Sequence, residues 1–267
     1  HDLDSNQEDK LKKLFAREYP ILTSEKRLRA IAKDVVQHFN TRGYKGKAMF
    51  VALDKVTAVK MYDYITEAWE SYLEEQQKEI QKIQDKQEQL SRQQQWQWSK
   101  ETEIAVVVSH EQNEIEKFEA WELDIEPHRL KMNTSDLEKD FKDENHPFRF
   151  AIVCAMWITG FDVISLSTMY IDKPLKSHTL MQTIARANRI HKDKNNGLIV
   201  DYIETYKALL EALAIYGDSD SNGGSGDAPV KPLEELIEDL RESIAITEQF
   251  LSDECKFKLS KIVEADD

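Results

Sequence analysis

Residues 149–189 read RFAIVCAMWITGFDVISLSTMYIDKPLKSHTLMQTIARANR. From Phe150 to Trp157 the run is apolar and of strand length, and it ends in a polar turn, Thr159-Gly160-Phe161-Asp162. A second short apolar run, Met169 to Ile171, follows. Neither run alternates with polar residues, so both read as strands buried on two faces, the signature of a parallel sheet. The chain then turns helical. Leu180, Ile184 and Ala187 fall on one side, and Gln182, Arg186 and Arg189, at i, i+4 and i+7, on the other. Strand, polar turn, strand and arginine-bearing helix is an order suited to a nucleotide-handling α/β domain.

Upstream, Thr23 or Ser24 caps a helix whose apolar stripe is Leu28, Ile31, Ala32, Val35, Val36 and Phe39, and Gly43 and Gly46 end it. Lys47 to Leu53 is a strand-length apolar run, and Asp54 is a good N-cap for the helix that follows. That helical pattern runs on through Trp69 into a stretch with ten glutamines between Ser71 and Trp98. Leu73, Ile80, Ile83 and Leu90 give it a partial heptad seam, with Gln76 and Gln87 at the remaining positions. It reads as one long helical insertion, about 71–103, ending near Trp98 to Lys100 and carrying no chemistry. Ile104 to Val108 is β-branched and reads as a buried strand. Residues 111–133 are acidic and read as irregular, with Pro127 among them. Ser135-Asp136-Leu137-Glu138 resembles a capping box opening a short helix with Leu137 and Phe141 inward.

Downstream, Gly197 to Tyr202 reads as another strand and 204–216 as a helix stopped by Gly217. Asp218 to Asp227 holds three of the eight glycines and no strongly apolar side chain, so 218–232 reads as a flexible linker. Leu233, Leu236, Ile237, Leu240 and Ile244 then form an amphipathic helix within 233–267, which must dock on something to bury that face. Residues 1–22 read as a linker or cut end. The body of the fold is therefore 23–217, an α/β domain. In such sheets ligands gather at the carboxyl ends of strands, so function is expected after Leu53, Val108, Trp157 and Asp172.

The two cysteines, Cys154 and Cys255, offer no disulfide framework, and no apolar run is long enough to span a bilayer. A reducing cytoplasm is the expected compartment. A formal charge of −14 argues against a surface coated in basic residues for non-specific nucleic-acid binding, though it leaves room for a local basic groove. The seven histidines are scattered, so no metal site is expected. Gly43-Tyr44-Lys45-Gly46-Lys47-Ala48 is not a phosphate loop: the glycine spacing is wrong, Ala48 replaces the magnesium-binding hydroxyl, and a strand follows where a helix should. Alone, the Thr159–Asp162 turn is an ordinary strand-to-helix turn. Two arginines at i and i+3 suit a triphosphate, which they match bidentately, or equally a solvated face paired with carboxylates.

Q-x-x-x-R-x-x-R at Gln182, Arg186 and Arg189, preceded by T-G-x-D at Thr159, Gly160 and Asp162, resembles motifs VI and V of superfamily 2 helicases. The longer string MWITGFDV…DKPLKSHTLMQTIARANRI…GLIVDY, with KAMFVALDKVTAVKMYDYI as motif IV, is similar to the restriction (motor) subunit of type I restriction-modification enzymes. The likeness covers roughly residues 25–217. It implies the second RecA-like lobe of an ATP-dependent DNA translocase and endonuclease. By that resemblance Gly160 and Asp162 lie at the nucleotide cleft, Thr159 near the DNA backbone, and Gln182 beside the nucleotide or attacking water. Arg186 and Arg189 are implied arginine fingers. ATP and Mg2+ would be held mainly by a first lobe, with double-stranded DNA, the nuclease domain and the methylation and specificity subunits as partners. Two other readings stay open: a nucleotide-free α/β docking module, or a lobe of another superfamily 2 DNA helicase.

Overall fold

The computed structural model describes residues 19–43, 46–158, 161–175 and 197–203. It also describes Thr179, Gln182, Thr183, Ala185, Ala187, Ile237, Leu240, Arg241 and Ile244, all in helical conformation. The chain divides into two compact units, His1–Ala212 and Leu213–Asp267.

In the first unit, helix α1 (Glu25–Thr41) precedes strand β1 (Lys47–Val51), and helices α2 (Lys55–Ile80) and α3 (Lys86–Lys100) lead to β2 (Glu103–Val107). Helices α4 (Glu114–Glu119), α5 (Glu126–Thr134) and α6 (Leu137–Lys142) follow, then β3 (Phe148–Val153), β4 (Leu166–Ile171) and β5 (Leu198–Asp201). The five strands form one sheet in the order β2-β3-β1-β4-β5. Every pairing is parallel. This is the α/β architecture expected from solid apolar runs separated by helices.

Alternate residues of each strand feed two cores. Ala48, Phe50, Val106, Phe150, Ile152 and Tyr170 meet the stripe of α1 and the inner side of α2 on one face. All six stripe residues of α1 are buried. Phe39 alone meets the rings of Trp69 at 5.2 Å, Trp98 at 5.5 Å and Phe150 at 5.5 Å. On the other face, Met49, Val51, Ala151, Val153 and Met169 pack against Leu137 and Phe141 of α6, Ile158, Phe161, Val163 and Ala187. Because β3 and β4 both flank β1, the segment between them must cross over β1, and it does so with its aromatic side chains on this second face.

Three expectations need correction. The glutamine-rich insertion is not one helix. It breaks at 81–85 and folds back as a hairpin, because Asp85 accepts from Glu88 N at 2.8 Å and caps a second helix. Tryptophans then lock the two arms. Trp69 Nε1 donates to Ser99 O at 3.1 Å and Trp96 Nε1 to Leu73 O at 2.9 Å. Residues 111–133 are not irregular: α4 and α5 lie there, with Pro127 in the first turn of α5, where a missing N–H costs nothing. The strand expected to reach Trp157 ends at Val153.

The remaining expected elements fall as follows. Ser24 occupies the cap position of α1, whereas α6 is capped one residue later than the Ser135 box implies, by Asp136 accepting from Lys139 N at 3.1 Å. Of the amphipathic stripe in the second unit, Ile237, Leu240 and Ile244 are helical and exposed. The helix expected over 204–216, the linker 218–232, residues 1–18 and Cys255 lie outside the described residues. Among the described residues no helix is long and apolar enough to cross a membrane, and no group of three His, Cys, Asp or Glu could hold a metal ion.

Candidate functional site

The carboxyl ends of the strands form a pole built mostly from buried charge. β4 delivers Asp172 there, with a side chain only 1% exposed. Its backbone N–H donates to Val51 O at 2.9 Å, which extends the pairing with β1 by one step. Arg27 reaches Asp172 from the first turns of α1, with Nη2 at 2.5 Å from Oδ1 and Nη1 at 3.1 Å from Oδ2. The same guanidinium donates to Leu22 O at 2.8 Å and to Tyr202 O at 3.0 Å. Burial pushes the Asp172 carboxyl up, and Arg27 pulls it back. Such a pair is costly to break, because either partner alone would be a buried, unpaired charge.

β1 delivers Asp54, which accepts from Thr57 N at 2.7 Å to cap α2 and from the Tyr19 hydroxyl at 2.6 Å. Burial and the adjacent carboxylate raise the Tyr19 phenol above its ordinary range, so it stays a donor. After β2, Arg129 Nη1 donates to Val108 O and Nη2 to Ser109 O, both at 2.8 Å. It also holds Glu114 by a fork, at 2.6 and 2.7 Å. That fork keeps the Glu114 carboxyl below its usual value despite burial. Lys55 lies 3.3 Å from Glu111, which Lys117 also contacts. The described arginines of this pole are therefore committed to carboxylates and carbonyls.

After β3 the chain leaves the sheet through Cys154, whose carbonyl accepts from Lys173 Nζ at 2.8 Å. Trp157 then adopts φ +68°, a left-handed conformation uncommon for a bulky side chain. Its ring stacks on Phe161 at 4.2 Å and tilts against Phe141 at 5.5 Å. These aromatic contacts hold Trp157 and Phe161 against Phe141 of α6. Phe161 and Val163 are buried and Asp162 between them is exposed, so alternation on a packed segment turns this carboxylate outward.

Of the sequence-derived site residues, Asp162 and Gln182 are described, and both are exposed. Gln182 stands on a helix whose Thr183 and Ala187 are fully buried, with Thr183 Oγ1 donating to Thr179 O at 2.7 Å. The apolar side expected to lie on the sheet does so at Ala187. Gly197, just before β5, is the reason it can: a Cβ there would sit 2.1 Å from Ala187 O. Thr159, Gly160, Arg186 and Arg189 lie outside the described residues. The Arg27–Asp172 pair and the Arg129–Glu114 fork were not singled out from the sequence. Asp172 at the end of a solid apolar strand was the available signal, since a carboxylate there needs a cation; nothing marked Arg27, 145 residues away.

A profile described as type I restriction enzyme subunit R domain 3 matches residues 44–204. The chain is 36% identical over 216 residues to the putative type I restriction enzyme MjaIXP endonuclease subunit of Methanocaldococcus jannaschii, covering 80% of this chain and 17% of that protein. It is 32% identical to the type I restriction enzyme HindI endonuclease subunit of Haemophilus influenzae, covering 76% and 17%. With the putative MjaVIIP endonuclease subunit of M. jannaschii the match is 30% over 96% of this chain and 21% of the relative. The chain thus spans about a fifth of the length of these relatives. Among solved structures, the C-terminal domain of S. cerevisiae Dbp5, bound to Gle1 and IP6, superimposes with a TM-score of 0.41 at 11% identity. That match covers 80% of this chain and 92% of that one and is too slight to carry an argument.

Proposed function

The chain belongs to the type I restriction enzyme subunit R domain 3 family, and from that premise we propose that it is the second RecA-like lobe of a superfamily 2 motor. The intact subunit would be an ATP-dependent DNA translocase and site-specific endonuclease working with methylation and specificity subunits on double-stranded DNA. The carrying observation is the family match over residues 44–204, which contains the whole sheet and the Gln182 helix.

The residues suit one wall of a nucleotide cleft. Gln182 is exposed on a helix whose other side is sealed by Thr183 and Ala187, which fits a surface that faces a nucleotide held by another domain. ATP with Mg2+, held mainly by a first lobe, would supply the phosphoryl group and its charge neutralisation. Gln182 would help position the nucleotide or the attacking water, and Gly160 and Asp162 would border the cleft, with Thr159 near the DNA backbone. Arg186 and Arg189, at i+4 and i+7 from Gln182, would place two planar guanidinium forks against the charge that builds on the transferred group. A finger of this kind is worth ~10³–10⁵ in rate, about 4–7 kcal/mol at ~1.4 kcal/mol per decade; lysine lacks the fork.

The test is DNA-stimulated ATP hydrolysis by the intact subunit carrying Arg186→Ala or Arg189→Ala. Loss of turnover by about three decades or more is expected. Near-normal turnover in both variants would remove the motor assignment and leave the nucleotide-free docking module as the better reading.

A further inference from the structure

The glutamine-rich hairpin, which the sequence marks as carrying no chemistry, encloses a pocket against the end of α1. The pocket has a volume of about 380 Å³ and is lined by residues of α1, α2 and α3. Because α1 and α3 end there, just before β1 and β2 begin, it lies at the amino ends of the strands, away from Asp54 and Asp172. Hydrogen bonds fix its walls. The Asn40 amide donates to Val36 O at 2.9 Å and accepts from Ser99 Oγ at 2.5 Å, and Asn40 O accepts from Gln95 Nε2 at 3.3 Å. Trp96 is held by its bond to Leu73 O. Other lining groups carry no such commitment. The side-chain amides of Gln37 and Gln76 and the Tyr72 hydroxyl have no hydrogen-bond partner among the described residues. Arg92 lines the pocket too. Its Nε lies 4.0 Å from Glu88 with both side chains more than half exposed, a contact worth little. Burial raises the Tyr72 phenol and the nearby Arg92 charge opposes the rise, so the hydroxyl stays a donor beside that cation. The chain has 50 acidic residues, yet none is among the residues lining this pocket.

We propose that this pocket binds a nucleotide, with the base on the amides of Gln37 and Gln76 and the flat sides of Tyr72 and Trp96, and the phosphate on Arg92. The proposal uses none of the motor residues and stands apart from the motor reading. The volume falls at the lower end of the ~300–1,000 Å³ typical of ligand pockets, which suits one small molecule and not a whole helix or strand. A metal ion would find no anionic ligand here. An apolar ligand would bury Gln37, Gln76 and Tyr72 unsatisfied. A bare anion needs the cation but neither the amides nor the rings. A base edge presents donors and acceptors side by side, and a glutamine amide matches that pattern with two hydrogen bonds. A free nucleotide and an unpaired base of a nucleic-acid strand offer the same chemistry, and the experiment separates them.

The full chain is titrated calorimetrically with each of the four 2′-deoxynucleoside 5′-monophosphates, with inorganic phosphate, and with a single-stranded tetranucleotide containing the preferred base. Expected is saturable binding of at least one monophosphate, at least about tenfold tighter than inorganic phosphate. Gln76→Trp fills the pocket without changing charge and should abolish that binding. Arg92→Ala should weaken it at least about tenfold, as loss of a charged hydrogen bond does. Thermal unfolding of both variants checks that each is folded, and Arg92, being exposed, can be truncated without touching the core. A tetranucleotide that binds more tightly than the monophosphate identifies an unpaired strand as the source of the base, and one that gains nothing identifies the free nucleotide; both support the site. No saturation by any monophosphate or by the tetranucleotide up to about 1 mM overturns the proposal. So does inorganic phosphate binding as tightly as the nucleotides, or nucleotide binding that survives Gln76→Trp. Binding lost in Arg186→Ala but kept in Gln76→Trp would put the nucleotide on the proposed motor surface and overturns it too. Failure of the ATPase test for the motor leaves this pocket untouched, so the two readings fall separately.

Discussion

Lys47 shows how a single side chain resists the role its position was made to fill. It sits in a false phosphate loop by sequence, and in the fold it opens β1 with 1% of its surface exposed. Its Nζ donates to Asp140 O at 2.8 Å and lies 5.2 Å from the Phe141 ring centroid. Burial pushes its pKa down to about 8 from 10.5. Between those values the unfolded chain binds a proton that the folded chain does not, so stability rises with pH from about 8 upward. Above about 10 the half-buried phenols of Tyr19 and Tyr202, raised above their ordinary value, oppose the trend. Lys47→Met should raise the unfolding temperature at pH 7 and flatten its rise between pH 8 and 9.5. Denaturation of the variant across that window checks both, and an unchanged slope would mean Lys47 is not the titrating group. Gly197 makes a converse prediction. An alanine Cβ would meet Ala187 O at 2.1 Å and Ala187 C at 2.2 Å, backbone atoms that cannot step aside. Gly197→Ala should destabilise the chain by about 1–3 kcal/mol or more, as overpacking does. In the intact subunit it should lower ATP turnover as well, because the displaced helix carries Gln182.

The hairpin of α2 and α3 teaches the same lesson at the level of elements. The core needs only its base. Trp69 and Trp98 pack against Phe39, Ser99 Oγ donates to Asn40 at 2.5 Å, and Arg149 Nη1 donates to Trp98 O at 2.9 Å. Beyond the Trp96–Leu73 hydrogen bond the arms are largely exposed, with Leu90 55% exposed. Replacing residues 74–95 by a short glycine-serine loop should therefore leave cooperative unfolding and the sheet intact. Loop-length changes cost little once the ends are held close. A molten product by near-UV circular dichroism would show that the outer hairpin belongs to the core. The elements legible in the sequence were those with one dominant pattern. The α1 stripe, the four longest apolar runs and the Asp54 cap needed only local periodicity and short-range hydrogen bonds. The break at 81–85 and the helices α4 and α5 were hidden because polar sequence is compatible with both helix and loop, and tertiary contacts decided. Trp69 and Trp96 fold the hairpin back, and Arg129 ties α5 to Glu114 and the end of β2. Asp162 and Gln182 were readable as exposed polar positions next to buried ones; the clamp by Arg27 was not, since it depends on a contact across the whole domain.

At the scale of the molecule, the distribution of charge constrains what this chain does by itself. Glu111, Glu114, Glu116, Glu119, Glu122, Asp124 and Glu126 gather around α4 and the start of α5, beside the edge strand β2. Exposed Ile115, Trp121 and Leu130 lie among them. The excess of carboxylates there disfavours phosphates. On the proposed reading the chain supplies only one wall of a cleft, and the sequence contains no G-x-x-x-x-G-K-[ST] to hold a triphosphate. The isolated chain is therefore expected to hydrolyse no ATP and cleave no DNA, while associating weakly with duplex oligonucleotides. That association should weaken steeply with salt, following a slope of roughly −0.9 per phosphate contacted in the logarithm of affinity against the logarithm of salt. Fluorescence anisotropy from about 50 to 200 mM salt measures the slope, and a phosphate-release assay on the same preparation measures turnover. Magnesium-dependent turnover that Arg186→Ala abolishes would show the chain to hold a complete site and would overturn its assignment as one wall of a shared cleft.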